Sequence, residues 1–366
     1  MDTMQYPALE VNLAAVRQNT EAVAALLDRS GISLTGVVKG FNALSPVVEQ
    51  MAAGGCRHLA SSRMDQLARL KAQGVTLPLL LLRVPMLSEA AAVVAVAAMS
   101  LNSEWETVEA LNEAALRLGT RHGVVLMQDL GDLREGFFDA EELIALALHV
   151  ERNLKGLTLQ GVGTNLGCYG AIRPTVENLE ALVATARRIE GQIGRRLEIV
   201  SGGATSSLPL LLEGRMPAGI NNLRIGEGIL NNRDLPDIWQ VPVPGLTQDT
   251  FTLKAQVVEV KLKPSHPVGE VFIDAFGNRP VYEDRGIRRR AILAVGRQDL
   301  CDPSKLIPQT AGVEIVGASS DHLIVDVHDA GQPVRVGDVL SFGLYYGPML
   351  FLSGSAGVAK VYRNAD

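Results

Sequence analysis

The sequence predicts a parallel (β/α)8 barrel followed by an all-β domain, and three observations carry that prediction. Eight short apolar runs alternate with amphipathic, helix-like stretches through roughly the first two thirds of the chain. Residues able to do chemistry follow nearly every one of those runs, which is how barrel enzymes build a site at the C-terminal ends of their strands. After about Pro242 the helical periodicity fades, and β-rich runs separated by Gly and Pro turns take over.

Taken in order, the barrel strands are predicted at Thr35–Val38, His58–Ser61, Pro78–Leu82, Met99–Asn102, Gly123–Asp129, Leu157–Gly163, Leu197–Ser201 and Asn222–Ile225. Helix starts with capping-box spacing lie between them: Ser62 with Asp65, Ser103 with Glu106, and Asp139 with Glu142. A doubly wound sheet is the alternative arrangement, but no GxGxxG follows the first strand and the unusual residues ring all the strand ends. In the second domain, strands are predicted at Phe251–Val260, Glu270–Ala275, Arg289–Val295, Val313–Val316, Leu323–Val327, Val339–Tyr346 and Val358–Tyr362. Ala8–Val11 reads as a strand added to that domain. The expected organisation is therefore residues 1–11 joining the β domain, residues 12–241 forming the barrel, and residues 242–366 forming the β domain.

Composition excludes several classes. Apolar residues make up 47% and charged residues 20%, the balance of a packed globular protein. A net charge of −6 and the absence of a basic cluster with interleaved aromatics argue against a nucleic-acid partner. The run Arg288-Arg289-Arg290 leads into an apolar strand and reads as a solvated strand end. Cys56, Cys168 and Cys301 are widely spaced and form no metal or disulfide pattern, so reduced thiols in a cytoplasmic protein are expected. The start of the chain lacks the basic and apolar regions of a signal peptide, and the most apolar stretch, Ala90 to Leu101, is too short to span a bilayer. No membrane partner is expected.

Lys39 ends the first barrel strand, with Gly40 behind it. A desolvated lysine there titrates more easily than a free one, and the neutral amine is both a nucleophile and a base. After the seventh strand, Ser201-Gly202-Gly203-Ala204-Thr205-Ser206-Ser207 combines glycines with hydroxyls, and after the eighth, Arg224-Ile225-Gly226-Glu227-Gly228 brings two more glycines. Both loops suit a phosphate, which barrels often bind after strands seven and eight. A lysine and a phosphate site on one barrel rim suit pyridoxal 5′-phosphate.

At this point a resemblance becomes specific. GVVKGF around Lys39, DLGDLREGF from Asp129, GVGTNLGCYG from Gly161, SGGATSSL from Ser201 and NNLRIGEG from Asn221 are similar to the alanine racemase superfamily, most closely its ornithine racemase branch. VGRQD from Val295, GASSDHLIVDV from Gly317 and AKVY ending at Tyr362 extend the likeness over essentially the whole chain. The resemblance implies a pyridoxal-phosphate-dependent racemase working by two-base proton transfer at Cα, on ornithine or a similar basic amino acid. Lys39 would carry the cofactor as a Schiff base and serve as one base. Arg224 would face the pyridine nitrogen, and Arg134 the phenolic oxygen and the substrate carboxylate. Asn165 stands where many relatives place a histidine near the ring. Ser206, the backbone of Gly226 and Glu227, and Tyr362 would hold the phosphate. A head-to-tail homodimer with C2 symmetry and shared sites is also implied.

The departures matter as much. Gly296 is followed by Arg297, where alanine racemases have the tyrosine that acts on the opposite face. Ala43 replaces a second tyrosine four residues after the lysine, and Met127 replaces a lysine found in many relatives. Racemisation still needs a second proton carrier. Asp321 and His322 lead the candidates, with Tyr169 and Cys168 behind them. Arg297 and Asp299 are expected to read the substrate, and no metal is expected. Two further readings remain: a metal-assisted D-amino-acid aldolase or dehydratase, with His322 as a ligand, and a non-catalytic carrier of the cofactor.

Overall fold

The computed structural model describes residues 5–363. Residues 1–4 of the expected N-terminal segment and residues 364–366 of the expected β domain lie outside the described residues. The chain divides into two compact units, one running up to Ala15 and resuming at Thr247, the other Val16–Leu246.

The first strand, β1 (Ala8–Asn12), belongs to the former unit. The second unit is a closed barrel of eight parallel strands: β2 (Ser33–Val37), β3 (His58–Ser61), β4 (Leu79–Leu81), β5 (Met99–Asn102), β6 (His122–Met127), β7 (Leu157–Gly163), β8 (Ile199–Ser201) and β9 (Asn222–Ile225). Each matches an apolar run of the sequence, and each is buried along almost its whole length, as strands with both faces covered must be. The barrel closes where β9 pairs with β2, Arg224 standing beside Thr35. Val37, Ala60, Leu80, Met99, Leu101, Val125, Met127 and Ile199 pack into one apolar cluster.

The helices between the strands are amphipathic. Trp105–Arg117 buries Val108, Leu111 and Ala115, a stripe at helical spacing. Val176–Ile193 begins with a reciprocal cap the sequence reading missed: Thr175 N–H donates to Asn178 Oδ1 (2.9 Å) and Asn178 N–H to Thr175 Oγ1 (3.3 Å). Of the three boxes expected, Asp139 does cap its helix, accepting from Glu141 N–H at 2.8 Å. Ser62 and Ser103 sit one residue too early, because Arg63 and Glu104 occupy the N-cap positions and neither makes a side-chain cap bond.

The first unit is an eight-stranded sheet. Its other strands are β10 (Phe251–Pro264), β11 (Ile287–Leu293), β12 (Leu306–Pro308), β13 (Glu314–Ala318), β14 (Leu323–Asp326), β15 (Val339–Leu344) and β16 (Ala359–Arg363). β1 lies antiparallel to β10 and parallel to β16. The strand expected at Glu270–Ala275 is absent: residues 265–286 form a long excursion between β10 and β11. There Asp274 accepts from Phe276 N–H (2.9 Å) and Asn278 N–H (2.8 Å), so a local side-chain turn takes backbone donors a ladder would have used. β15 stops at Leu344 because a helix, Tyr346–Gly354, starts almost at once. Nor is Arg288 a solvated strand end. It lies inside β11 and pairs with Asp326 (2.8 Å) and Asp329 (2.5 Å).

The barrel contains one conspicuous close approach. Val124 pairs with Leu159 and Val125 with Gly161, so Gln160 bulges out of β7. A Cβ on Gly161 would overlap the backbone carbonyl of Ile199 in the next strand. Gly161→Ala should destabilise the protein by about 1–3 kcal/mol or more through that overlap. Urea denaturation of the purified variant checks this.

Candidate active site

Lys39 begins a single 3-10 turn, Lys39–Phe41, directly after β2. Val38 N–H bonds to Ala60 O (2.8 Å), so the strand ladder holds the chain up to the residue before the lysine. Asn42 and Ala43 then adopt left-handed φ of 53° and 49°. Asn42 makes this conformation tenable because its Oδ1 accepts from Gln66 Nε2 (3.0 Å), and Gln66 is held in turn by Ser61 Oγ (2.6 Å). Burial lowers the Lys39 pKa. The nearby Arg134 and Arg224 lower it too, while Cys168 and Glu135 oppose them. The lysine is thus biased toward the neutral amine.

Arg224 is buried in β9. Its guanidinium donates to Thr164 O at 2.7 Å and to Ser201 Oγ. Burial pulls its pKa down to about 10, with Glu135 opposing that shift, so it remains a cation at neutral pH. Arg134 projects from the loop after β6 and pairs with Glu135 at 2.8 Å. That loop folds on itself: Asp129 Oδ1 accepts from Gly131 N–H (2.9 Å) and Leu133 N–H (3.1 Å), and Phe137 bonds back to Met127. Glu135 went unnoticed in the sequence. Burial raises its pKa, against the pull of Arg134, Arg224 and Lys39, and the only local signal was an acid directly following Arg134.

After β7, Thr164 Oγ1 and Asn165 Nδ2 are buried without a hydrogen-bond partner, and so is Asp132 Oδ2 in the facing loop. Two loops then tie together after β8 and β9. Gly228 N–H donates to Thr205 Oγ1 (3.1 Å), Ser206 Oγ to Leu166 O (2.8 Å), and Ser207 Oγ to Gly202 O (2.7 Å). Gly203 sits at φ 110°, and a Cβ on Gly226 would crowd Val37 at 3.1 Å. A phosphorylated pyridine aldehyde fits these features: a glycine-lined turn with hydroxyls for the phosphate, orphaned polar atoms for the ring, and a lysine biased toward the free amine. The Glu227 side chain turns to its own loop, accepting from Arg233 N–H (2.7 Å) and Asp234 N–H (3.1 Å).

The remaining expected site residues lie in the β unit, where four of them share a neighbourhood. Arg297 N–H donates to Ser319 O (2.9 Å) and Gln298 N–H to Ser320 O (3.2 Å), which joins the 296–300 loop to the turn carrying Asp321 and His322. A Cβ on Gly296 would overlap Ser320 O, so this junction requires glycine. Arg297 stacks on Phe276 at 4.7 Å, and Asp299 accepts from Ser355 Oγ at 2.6 Å. Asp321 and His322 are exposed. Tyr362 lies on β16 opposite Val11, and burial raises its pKa. Among the described residues, no group of three or more His, Cys, Asp or Glu is placed to hold a metal ion, and no helix is long and apolar enough to cross a membrane.

The fold and the barrel mouth define a parallel-barrel protein with a strand-end lysine set among arginines, joined in one chain to an antiparallel β unit. The chain belongs to the alanine racemase family: residues 11–231 match the family model described as alanine racemase, N-terminal domain. It is 43% identical over 345 residues to the ornithine racemase of Acetoanaerobium sticklandii, covering 94% of this chain and 96% of that one. It is 39% identical over 360 residues to the lysine racemase of Thermotoga maritima, covering 98% and 99%. In fold it is similar to an alanine racemase from Streptomyces lavendulae (TM-score 0.79, 18% identity, covering 100% of this chain and 99% of that one). It is also similar in fold to a D-threonine aldolase from Filomicrobium marinum (TM-score 0.74, 16% identity, covering 94% and 88%).

Burial raises the Glu227 carboxyl from its ordinary 4.5 to about 7. A carboxyl that titrates higher when folded weakens the fold as pH rises between those two values. Glutamine mimics the protonated form. Glu227→Gln should therefore be more stable than the parent by about 1–3 kcal/mol at pH 8, with the difference shrinking at pH 5, as measured by urea denaturation at both pH values.

Proposed function

We propose that this chain is a pyridoxal 5′-phosphate-dependent racemase that interconverts the L and D forms of a basic amino acid, ornithine or a close homologue such as lysine. The observation that carries the reading is Lys39: a half-buried amine at a barrel strand end, biased toward its neutral form, with Arg134 and Arg224 beside it. The ornithine and lysine racemases that resemble the chain along nearly its whole length support the choice of a basic substrate.

Lys39, Arg134, Asn165, Ser206, Arg224, the backbone of Gly226 and Glu227, and Tyr362 would hold the cofactor. When bound, it supplies an aldehyde for the amino group and a conjugated ring that takes up the electron pair left at Cα. Lys39 removes or returns the Cα proton on one face, a role favoured by the burial that lowers its pKa. Arg224 remains cationic and gives up no proton readily, so it would face the ring nitrogen as a donor and leave it unprotonated, which would weaken the ring as an electron sink. Arg134 presents a planar fork to the substrate carboxylate, and Glu135 restrains it.

The opposite face requires a second proton carrier. Asp321 and His322 remain its leading candidates. Cys168 and Tyr169, side by side on the loop after β7, compete with them. Arg297 and Asp299 are assigned to the substrate, Asp299 being suited to a side-chain ammonium. The head-to-tail homodimer belongs to the same reading, and light scattering of the purified protein tests it.

The reaction itself is tested by incubating the cofactor-loaded protein with single enantiomers of ornithine, lysine and alanine in deuterated water. Exchange at Cα with growth of the opposite enantiomer is expected for ornithine or lysine. Lys39→Ala should lower the rate by about a hundredfold or more. Release of aldehyde or ammonia, or turnover of alanine alone, would contradict the proposal.

A further inference from the structure

The barrel interior beneath the mouth is polar where β8, β9 and β2 meet. Asn222 and Arg224 are two residues apart on β9 and so face the same side, as do Ser33 and Thr35 on β2. The register sets these side chains against one another: Ser33 beside Asn222, Thr35 beside Arg224, and Ser201 beside Asn222. Ser201, Asn222, Thr35 and Arg224 are all buried.

The direction of each hydrogen bond in this layer is fixed from its ends. A guanidinium only donates, so Ser201 Oγ accepts from Arg224. The single Ser201 proton then goes to Asn222 Oδ1 at 2.7 Å. That settles which end of the Asn222 amide faces Ser201, and its Nδ2 donates to Thr35 Oγ1 (2.9 Å) and Ser33 Oγ (3.1 Å). Ser33 Oγ in turn donates to the Asn221 carbonyl at 2.9 Å, which can only accept. The chain therefore runs one way, from a donor-only end at Arg224 to an acceptor-only end at Asn221. A second fixed acceptor, Thr164 O, holds the other terminal nitrogen of Arg224 at 2.7 Å. Among the described residues no carboxylate hydrogen-bonds this arginine, so its direction is set by neutral groups of the barrel.

We infer that Ser201 and Asn222 are positioning residues that aim the Arg224 guanidinium, so that a one-way hydrogen-bond layer within the barrel, and not an ion pair, fixes the group facing the cofactor ring. This inference rests on the pyridoxal-phosphate reading given above. Removing the Ser201 hydroxyl leaves a buried guanidinium N–H without its acceptor, and the group will turn to find another. Removing the Asn222 amide frees the Ser201 hydroxyl to rotate and loosens the same acceptor from below.

The test uses the cofactor-loaded full chain as wild type, Ser201→Ala, Ser201→Thr and Asn222→Ala. Three properties are read: cofactor bound per chain, the absorption spectrum of the bound cofactor without substrate, and kcat and KM for ornithine or lysine. Ser201→Ala and Asn222→Ala are expected to load cofactor, shift its absorption band, and lower kcat by about ten- to a hundredfold with a smaller change in KM. Ser201→Thr restores the hydroxyl and should recover both spectrum and kcat. If Asn222→Ala does not fold, the Ser201 pair decides alone. Wild-type spectrum and kcat in Ser201→Ala overturn the inference, as does a Ser201→Thr variant no better than Ser201→Ala. A wild-type protein that takes up no pyridoxal phosphate overturns the parent reading first, and this one with it.

Discussion

The burial of Arg224 in the barrel wall is the constraint around which the mouth is organised. A lone cation in a protein interior is strongly disfavoured unless its donors are met. The barrel meets them with the Thr164 carbonyl on one side and the Ser201 hydroxyl on the other. A Cβ on Gly163 would crowd Met127 Sδ at 3.2 Å and Ser201 Cβ at 3.3 Å, the latter belonging to the side chain that receives the guanidinium. The polar layer at the junction of β8, β9 and β2 follows from the same need. In a barrel otherwise filled by apolar side chains, those hydroxyls and amides make sense as the bedding of a charge.

The charge of Arg224 also shapes its neighbours. Together with Arg134 and with burial it pushes Lys39 toward the free amine, while Glu135 and Cys168 pull the other way. Glu135 stands at the centre of this balance, ion-paired to Arg134 and acting on both Lys39 and Arg224. Met127 packs in the barrel core, and the carboxylate restraining Arg134 is the adjacent Glu135. In the β unit, the loop carrying Arg297 is tied to the turn bearing Asp321 and His322.

Much of this was legible in the sequence, for a physical reason. Barrel strands buried on both faces are rich in apolar residues, and a short apolar run marks each of the eight. Lys39 stands out because it closely follows such a run, Arg134 because it lies in the loop after one, and Arg224 because it is a cation within one. The β unit was harder to read. Val271, Ile273 and Ala275 alternate like a strand, but Asp274 and Asn278 close a turn on themselves and win. β12 has three residues, too few for a period to register. The hidden site residues were those whose role depends on partners far along the chain. Asn222 meets Ser33 and Thr35 at separations of 189 and 187 residues. Similarly, nothing local tells that the Glu227 side chain turns back to the backbone of Arg233 and Asp234.

The central claim is that Lys39 is the amine that captures the cofactor. The most direct measurement is to load the protein with pyridoxal 5′-phosphate, reduce it with borohydride, digest it, and locate the modified lysine by mass spectrometry. The account predicts one pyridoxyl group per chain, on the peptide containing Lys39. Label on another lysine, or none retained after reduction, would contradict it.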